Sequence, residues 1–304
     1  MVRLKFFIEL KYEIADYPSD FIFNIHAAQT QCQSLVVENL QVSQPVAVAL
    51  FTDATHGNRY ARLRAAPGNM TVRYDATVDI AHHIVPPDSV MEVPIAQLPA
   101  EALAYIYPSR YCQSDRLHKL ARAEFGNRPP GYWRVRAIAD WVHSHTRFVS
   151  GSSNATTSAV DTLIEQVGVC RDFAHLMITL CRAINIPARF ATGIDYGSDP
   201  AFGPTDFHAY VEVFLSGRWY LFDPSGMALP MGIVRLGTGR DAADVSFATI
   251  FGTVKSFVPL IGIEGVEDAG KGIVLPHACV DALSTDGLRE ACEPASLPLR
   301  ALRN

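Results

Sequence analysis

The segment that decides the fold is residues 168–176, which read GVCRDFAHL. It leads into apolar residues at helical spacing, namely Phe173, Met177, Leu180, Cys181 and Ile184. We expect a helix that begins near Cys170 and stops before Pro187, because proline cannot continue a helix. A preceding helix, introduced by Ser158, is expected to end at Gly168. Cys170 therefore falls in the first turn of a helix.

A cysteine in the first helical turn differs chemically from a cysteine inside a helix. Unpaired amides and the positive end of the helix dipole stabilise a thiolate there, and the thiolate is the attacking form of cysteine. The same amides can bind an oxyanion, a contact that contributes roughly 3–4 kcal/mol in known enzymes. Taken alone, Cys170 would be interpreted as a small core residue. Cys181, in mid-helix on the apolar face, is an internal comparison because nothing there favours its thiolate.

The second motif is residues 207–223, FHAYVEVFLSGRWYLFD, in which two strand-like runs flank a Ser-Gly pair typical of a two-residue hairpin turn. If Leu215 pairs with Arg218, His208 and Asp223 lie on one sheet face as diagonal neighbours, within reach of two polar side chains. An imidazole can take the thiol proton while a carboxylate fixes its tautomer and stabilises its charge. We therefore predict that Cys170, His208 and Asp223 form a catalytic triad.

The composition argues against several classes of protein. Lysine and arginine number 26 against 31 aspartate and glutamate, so the net charge of -5 leaves no basic footprint for nucleic acid or an anionic membrane. Without an apolar run long enough for a signal peptide or a membrane span, the expectation is a cytoplasmic protein with no membrane partner. Six cysteines spread over 304 residues without a CxxC pair argue against a disulfide scaffold or a zinc site. No metal or cofactor is predicted.

The first 100 residues show the period of β-structure. Residues 70–80 alternate apolar and polar side chains, as in a strand with one buried face, and shorter runs precede them between turn residues. Four prolines in residues 85–99 predict a linker. Helical periods follow, and strands return at residues 188–193, 207–215 and 218–223. The sequence predicts an α+β chain, with an antiparallel β-sandwich or barrel in residues 1–100 and a catalytic domain of helices and an antiparallel sheet in residues 101–304.

These motifs resemble those of bacterial transglutaminase-like proteins that carry a β-rich N-terminal domain. The resemblance lies in residues 107–112, 168–175, 186–190 and 208–212 and in an Asp-Pro pair at 223–224. It implies a papain-like core in which a thioester forms on a cysteine and is resolved by water or an amine. The family's cysteine, histidine and aspartate correspond to Cys170, His208 and Asp223. Its second oxyanion donor lies upstream, and we assign that role to neither Tyr111 nor Trp133.

The predicted function is thiol-dependent cleavage or transfer of peptide or amide bonds, with a peptide, a protein or a small amide as substrate. Hydrolysis, as in a cysteine protease or amidase, is favoured because water is always available and the sequence indicates no dedicated amine pocket. Two alternatives stay open: an amine cross-linking transglutaminase, and a non-catalytic binding module on the same fold.

Other polar residues near the motifs receive structural interpretations. Asp172 and His175 are expected to hydrogen-bond loops around the site, because a helix directs them away from the side chain of Cys170. His82 and His83 are adjacent in a strand, so their rings face opposite sides and do not predict a metal site. Residues 235–251 are expected to form a glycine-rich loop over the cleft.

Overall fold

The computed structural model describes residues 1–197 and 205–287. Five α-helices lie within these ranges: α1 Ala100–Leu103, α2 Ser114–Phe125, α3 Tyr132–His145, α4 Ala159–Glu165 and α5 Cys170–Ala183. The strands of the same ranges are β1 Val2–Ile14, β2 Ser19–Phe23, β3 Gln33–Val42, β4 Ala49–Thr52, β5 Arg59–Ala65, β6 Gly68–Ile80, β7 His83–Val85, β8 Arg147–Phe148, β9 Val167–Gly168, β10 Ala188–Asp195, β11 Phe207–Leu215, β12 Arg218–Phe222, β13 Ile233–Gly239, β14 Ala248–Phe251, β15 Val254–Ser256, β16 Leu260–Val266 and β17 Ala282–Gly287.

The N-terminal region is an antiparallel β-structure whose two sheets share one core. One sheet has the order β15-β1-β6-β3, with β16 also paired to β1, and the other has the order β14-β2-β5-β4. Strands β1 and β6 pair along their whole lengths, and every second residue is buried throughout β1 and from Met70 onward in β6. Side chains from both sheets, such as Tyr12 and Phe21 with ring centroids 5.2 Å apart, fill the space between them. The alternation in residues 70–80 therefore has its predicted cause, a single buried face.

Helix α5 is the centre of the second region. Its 14 residues pack against α2, α3 and α4 on the helical side and against β10 and β11 on the other. The sheet it covers has six strands in the order β13-β10-β11-β12-β17-β7. Apolar residues of α5, including Phe173, Met177 and Leu180, are almost fully buried in this core. Because α5 is buried on nearly every side, close packing holds its first turn in place against the sheet.

Late segments of the chain return to the N-terminal sheets. Strand β14 pairs with β2, and β15 and β16 both pair with β1, although they follow the second region in sequence. Strand β7, from the N-terminal third, instead pairs with β17 and extends the six-stranded sheet. The observed fold is the predicted α+β architecture with these exchanged edge strands. The division of the chain at residue 100 stays a prediction.

Two local predictions are wrong. Helix α4 ends at Glu165 rather than Gly168, because Gln166 adopts the left-handed conformation with a φ of 57° and residues 167–168 then pair with β8. The segment predicted as a glycine-rich loop contains β13, which pairs with β10 along the edge of the six-stranded sheet. Its glycines permit close packing, since a Cβ on Gly237 would lie 2.8 Å from Nδ2 of Asn24.

Candidate active site

Cys170 is the first residue of α5, as the sequence predicts. The side chain of Asp172 folds back over the helix start, where its Oδ2 accepts a hydrogen bond from the Val169 amide at 2.8 Å. Its Oδ1 accepts another from Ser153 at 3.0 Å. Gly168 makes room for this cap, because a Cβ there would lie 2.7 Å from Cβ of Asp172. A buried carboxylate thus fixes the turn that presents Cys170.

His208 and Asp223 lie on the hairpin of β11 and β12. Leu215 pairs with Arg218, which confirms the predicted register. Ser216 and Gly217 have φ values of 45° and 77°, as a tight two-residue turn with two left-handed residues requires. This register leaves His208 and Asp223 as diagonal neighbours, with His208 Nε2 lying 3.2 Å from Asp223 Oδ2.

The Asp223 carboxylate accepts hydrogen bonds from three donors. Its Oδ1 accepts from the Ser225 amide at 3.0 Å and from the Ser225 hydroxyl at 2.6 Å. Its Oδ2 accepts from the Ala228 amide at 2.9 Å. The sequence reasoning did not identify Ser225 or Ala228, although a serine two residues after an aspartate is typical of an Asx turn. These donors fix the carboxylate behind the imidazole.

The two side chains shift each other's ionisation in opposite directions. Burial alone would lower the pKa of His208, but the Asp223 charge and the Cys170 thiol raise that pKa well above its ordinary value. Burial alone would raise the pKa of Asp223, but His208, Ser225 and the Ala228 amide lower it. These opposite shifts favour the imidazolium and carboxylate forms of the pair over the neutral forms.

Cys170 and His208 line the same cleft of about 870 Å³. Its wall includes the aromatic residues Tyr111, Phe148, Phe190, Phe207 and Phe247. Polar residues of the lining come from the loop at 150–154, from the end of β10 and from the start of β11. Residues 242–248, within the segment predicted to cover the cleft, also contribute to the wall. A partly exposed thiol thus shares a mainly apolar, solvent-accessible cleft with an imidazolium.

Comparisons with known proteins show which family the chain resembles over both of its regions. Residues 119–224 match the family model of the transglutaminase-like superfamily, and residues 2–101 match that of the bacterial transglutaminase N-terminal domain. The solved structure of a "Putative Cysteine Protease" from Cytophaga hutchinsonii is similar over 93% of this chain and 97% of that chain, with 37% identity and a TM-score of 0.85. The chain belongs to the transglutaminase-like superfamily.

Mycobacterial relatives match a shorter part of this transglutaminase-like chain. An uncharacterized protein of Mycobacterium leprae (strain TN) is 32% identical over 117 residues, which are 37% of this chain and 42% of that protein. An uncharacterized protein of Mycobacterium bovis is 29% identical over 143 residues, 43% of this chain and 46% of that protein. The match therefore spans less than half the length of these two relatives.

The other polar residues of the transglutaminase-like motif are structural, as expected. His175 is buried and its Nε2 accepts a hydrogen bond from the Ala242 amide at 3.2 Å. Its ring stacks on Tyr111 with centroids 5.0 Å apart. Burial and the charges of Arg171 and Arg182 lower the pKa of His175 well below its ordinary value. Together with the cap of Asp172, this histidine supports loops around the cleft.

The two residues considered as a second oxyanion donor differ in position. Tyr111 lines the cleft, but its hydroxyl donates to the Ala155 carbonyl at 2.7 Å. Trp133 is exposed at the surface, where its indole donates to Asp88 at 2.6 Å, and it does not line the cleft. Trp133 is therefore not a candidate in this conformation.

Within residues 1–197 and 205–287, no group of three or more His, Cys, Asp or Glu side chains is arranged to hold a metal ion. In the same ranges, no helix is both long and apolar enough to cross a lipid bilayer. The cytoplasmic location stays a prediction.

Proposed function

We propose that this transglutaminase-like chain is a thiol enzyme that cleaves peptide or amide bonds by acyl transfer through Cys170. The observation that carries the proposal is the shared cleft of the helix-start thiol and His208, whose imidazole contacts Asp223 at 3.2 Å. In this proposal Cys170 is the nucleophile, His208 the general acid and base, and Asp223 the group that orients the imidazole. The substrate would be a peptide, a protein or a small amide.

In the acylation step, the thiolate of Cys170 attacks the amide carbonyl. The oxyanion that forms is stabilised by amides of the first turn of α5, to which the helix dipole adds. The imidazolium of His208 donates its proton to the nitrogen of the leaving amine, and the C–N bond breaks to give a thioester. Asp223 keeps the imidazole oriented and stabilises its cation until the proton is transferred.

In the second step, neutral His208 takes a proton from water, which attacks the thioester and releases the acid and the thiolate. Hydrolysis is favoured because the cleft is open to solvent. The relative from Cytophaga hutchinsonii, described as a "Putative Cysteine Protease", supports the same direction. An amine that entered the cleft in place of water would give transfer instead, so cross-linking is the nearest alternative.

The third reading is a binding module without catalysis. A binding module does not need an ion pair beside the thiol. Burial of His208 and Asp223 costs desolvation free energy, and binding alone gives no reason to keep the pair. The three hydrogen bonds to Asp223 and its 3.2 Å contact with His208 support a site maintained for chemistry.

Thioester trapping tests the proposal. The protein is incubated with a library of peptide amides, with and without added amines, quenched in acid and digested for mass spectrometry. We expect acyl adducts on Cys170, free acids without amine, and no adducts in Cys170→Ala. If amide products exceed free acids at low amine concentration, the reaction is amine transfer rather than hydrolysis. Turnover in folded Cys170→Ala would contradict the proposal.

A further inference from the structure

Two carboxylates lie next to His208 along the sheet, Asp195 at the end of β10 and Asp206 just before β11. Gly193 of β10 pairs with His208 of β11, and Ile194 pairs with Phe207. Continuing that antiparallel register by one step places Asp195 opposite Asp206. Both residues line the cleft. Since Asp195 is two residues beyond the partner of His208, the pair lies roughly 7 Å along the strands from the imidazole.

Asp195 is a buried acid with an unused acceptor. The residue is only 5% exposed, and its Oδ2 has no hydrogen-bond partner among the described residues. Neither carboxylate forms a salt bridge within the described part of the chain; Asp206 Oδ1 accepts from the Phe207 amide at 2.7 Å. A buried, unpaired carboxylate is costly, and like charges at opposite strand positions repel. Among residues 1–197 and 205–287, no cationic side chain forms an ion pair with either acid.

Neither of the basic side chains described in the cleft pairs with these acids, since the His208 imidazole lies 3.2 Å from Asp223. Arg171 also lines the cleft, but its guanidinium donates to the Ser153 hydroxyl and to the Asn154 carbonyl at 2.6 Å. Beside the carboxylates, Phe207 stacks on Phe247 with centroids 4.4 Å apart. An aromatic wall next to the buried Asp195 and the exposed Asp206 suits an alkyl chain that ends in a positive charge.

We propose that Asp195 and Asp206 form a cation subsite that selects substrates with an ammonium or guanidinium side chain near the reacting amide. The proposal deepens the proposed function and rests on it. The bound cation is a recognition group rather than the attacking amine, because neighbouring carboxylates keep an amine protonated and an ammonium has no lone pair to attack with. A lysine-like side chain is long enough to span the distance from the reacting carbonyl to the acids.

A labelling experiment tests the subsite without turnover. Cys170 is modified by neutral methyl methanethiosulfonate and by its trimethylammonioethyl analogue; in each case the thiolate displaces methanesulfinate and forms a mixed disulfide. Rates at Cys170, read by peptide mapping and divided by those of a free thiol, give a preference for the cationic reagent. We expect that preference to fall about tenfold in Asp195→Asn. Asp140→Asn, which removes an exposed carboxylate outside the cleft, should keep it.

Asp206→Asn provides a second variant at an exposed position, should Asp195→Asn fail to fold. An equal cation preference in the wild type and in the folded subsite variants would overturn the proposal. For turnover, peptide amides that differ only in lysine against norleucine beside the scissile bond are compared by kcat/KM. A lysine preference that Asp195→Asn loses supports the subsite, and turnover without that preference contradicts it. If no amide is turned over but the labelling preference holds, the proposed function fails while the cation subsite stands.

Discussion

Helix α5 contains two cysteines with opposite environments. Cys170 occupies the first turn, lines the cleft and is partly exposed. Cys181 lies three turns further on, fully buried in the core, where desolvation raises the pKa of its thiol. The same side chain on one helix is thus placed for nucleophilic attack at the end and for packing in the middle. Position relative to the helix dipole and to solvent, rather than residue type, separates the two.

The two buried histidines of the site repeat this contrast. His208 faces Asp223, and its pKa is raised despite burial. His175 has arginines in its surroundings, and its pKa is lowered by burial and by their charge. One imidazole is therefore a cation that can donate a proton, and the other is a neutral ring that accepts a hydrogen bond from Ala242. The sign of the neighbouring charge decides the role.

The largest expected difference in turnover is the one between Cys170→Ala and Cys181→Ala. Cys170→Ala removes the nucleophile, so turnover should fall by about 10⁴-fold or more, with no covalent adduct. Cys181→Ala should keep turnover within about twofold and lose roughly 1 kcal/mol of stability through its small cavity. Turnover assays with urea unfolding measure both. Equal losses of turnover in the two folded variants would contradict the distinction between Cys170 as nucleophile and Cys181 as a packing residue.

The histidine pair should separate turnover from stability. In His208→Ala turnover should fall about as far as in Cys170→Ala, while slow alkylation of Cys170 survives at the helix start. In His175→Ala the Ala242 amide loses its acceptor, so the free energy of unfolding should fall by roughly 2–4 kcal/mol. Turnover per folded molecule should stay within tenfold of the wild-type value. Rates per folded molecule and unfolding free energies test this. A His175 variant as inactive as the His208 variant would give both rings the same role.

Asp223→Asn should have the smallest of the three effects on turnover. We expect a loss of roughly 10²- to 10⁴-fold, because an amide can support the wrong tautomer and does not stabilise the cation. The pKa of His208 should fall, since the Asp223 charge is what raises it against burial. The alkaline limb of kcat/KM should therefore move to lower pH, because the general acid loses its proton earlier. An NMR titration of the imidazole checks the sign, and an unchanged or raised pKa would refute it.

Local spacing was enough to predict the start of α5 and the register of the β11–β12 hairpin. The helix start at Cys170 follows from apolar periodicity and from Pro187, and the His208–Asp223 contact follows from the length of the turn. Both features depend on residues close in sequence. The catalytic roles of these side chains stay predictions.

Long-range pairing was not predictable from the same patterns. Strands β14, β15 and β16 are short or contain glycine, and no local signal shows that they pair with β1 and β2 rather than with their neighbours in sequence. The end of α4 depended on a left-handed Gln166, a conformation that sequence assigns to glycine by default. Asp195 was missed because an acid at a strand end is usually a solvated turn residue, and its burial results from the tertiary fold.

Competitive alkylation under native conditions compares the reactivity of Cys170 with that of the other described thiols. The described free cysteines include Cys32 and Cys279, which are partly exposed like Cys170, as well as the buried Cys112 and Cys181. After brief treatment with iodoacetamide near neutral pH, peptide mapping gives a rate for each thiol. We expect Cys170 to react faster than all four, and faster than Cys32 and Cys279 by more than their similar exposure explains. Labelling of Cys32 or Cys279 at the rate of Cys170, or preferential labelling of Cys112 or Cys181, would contradict it.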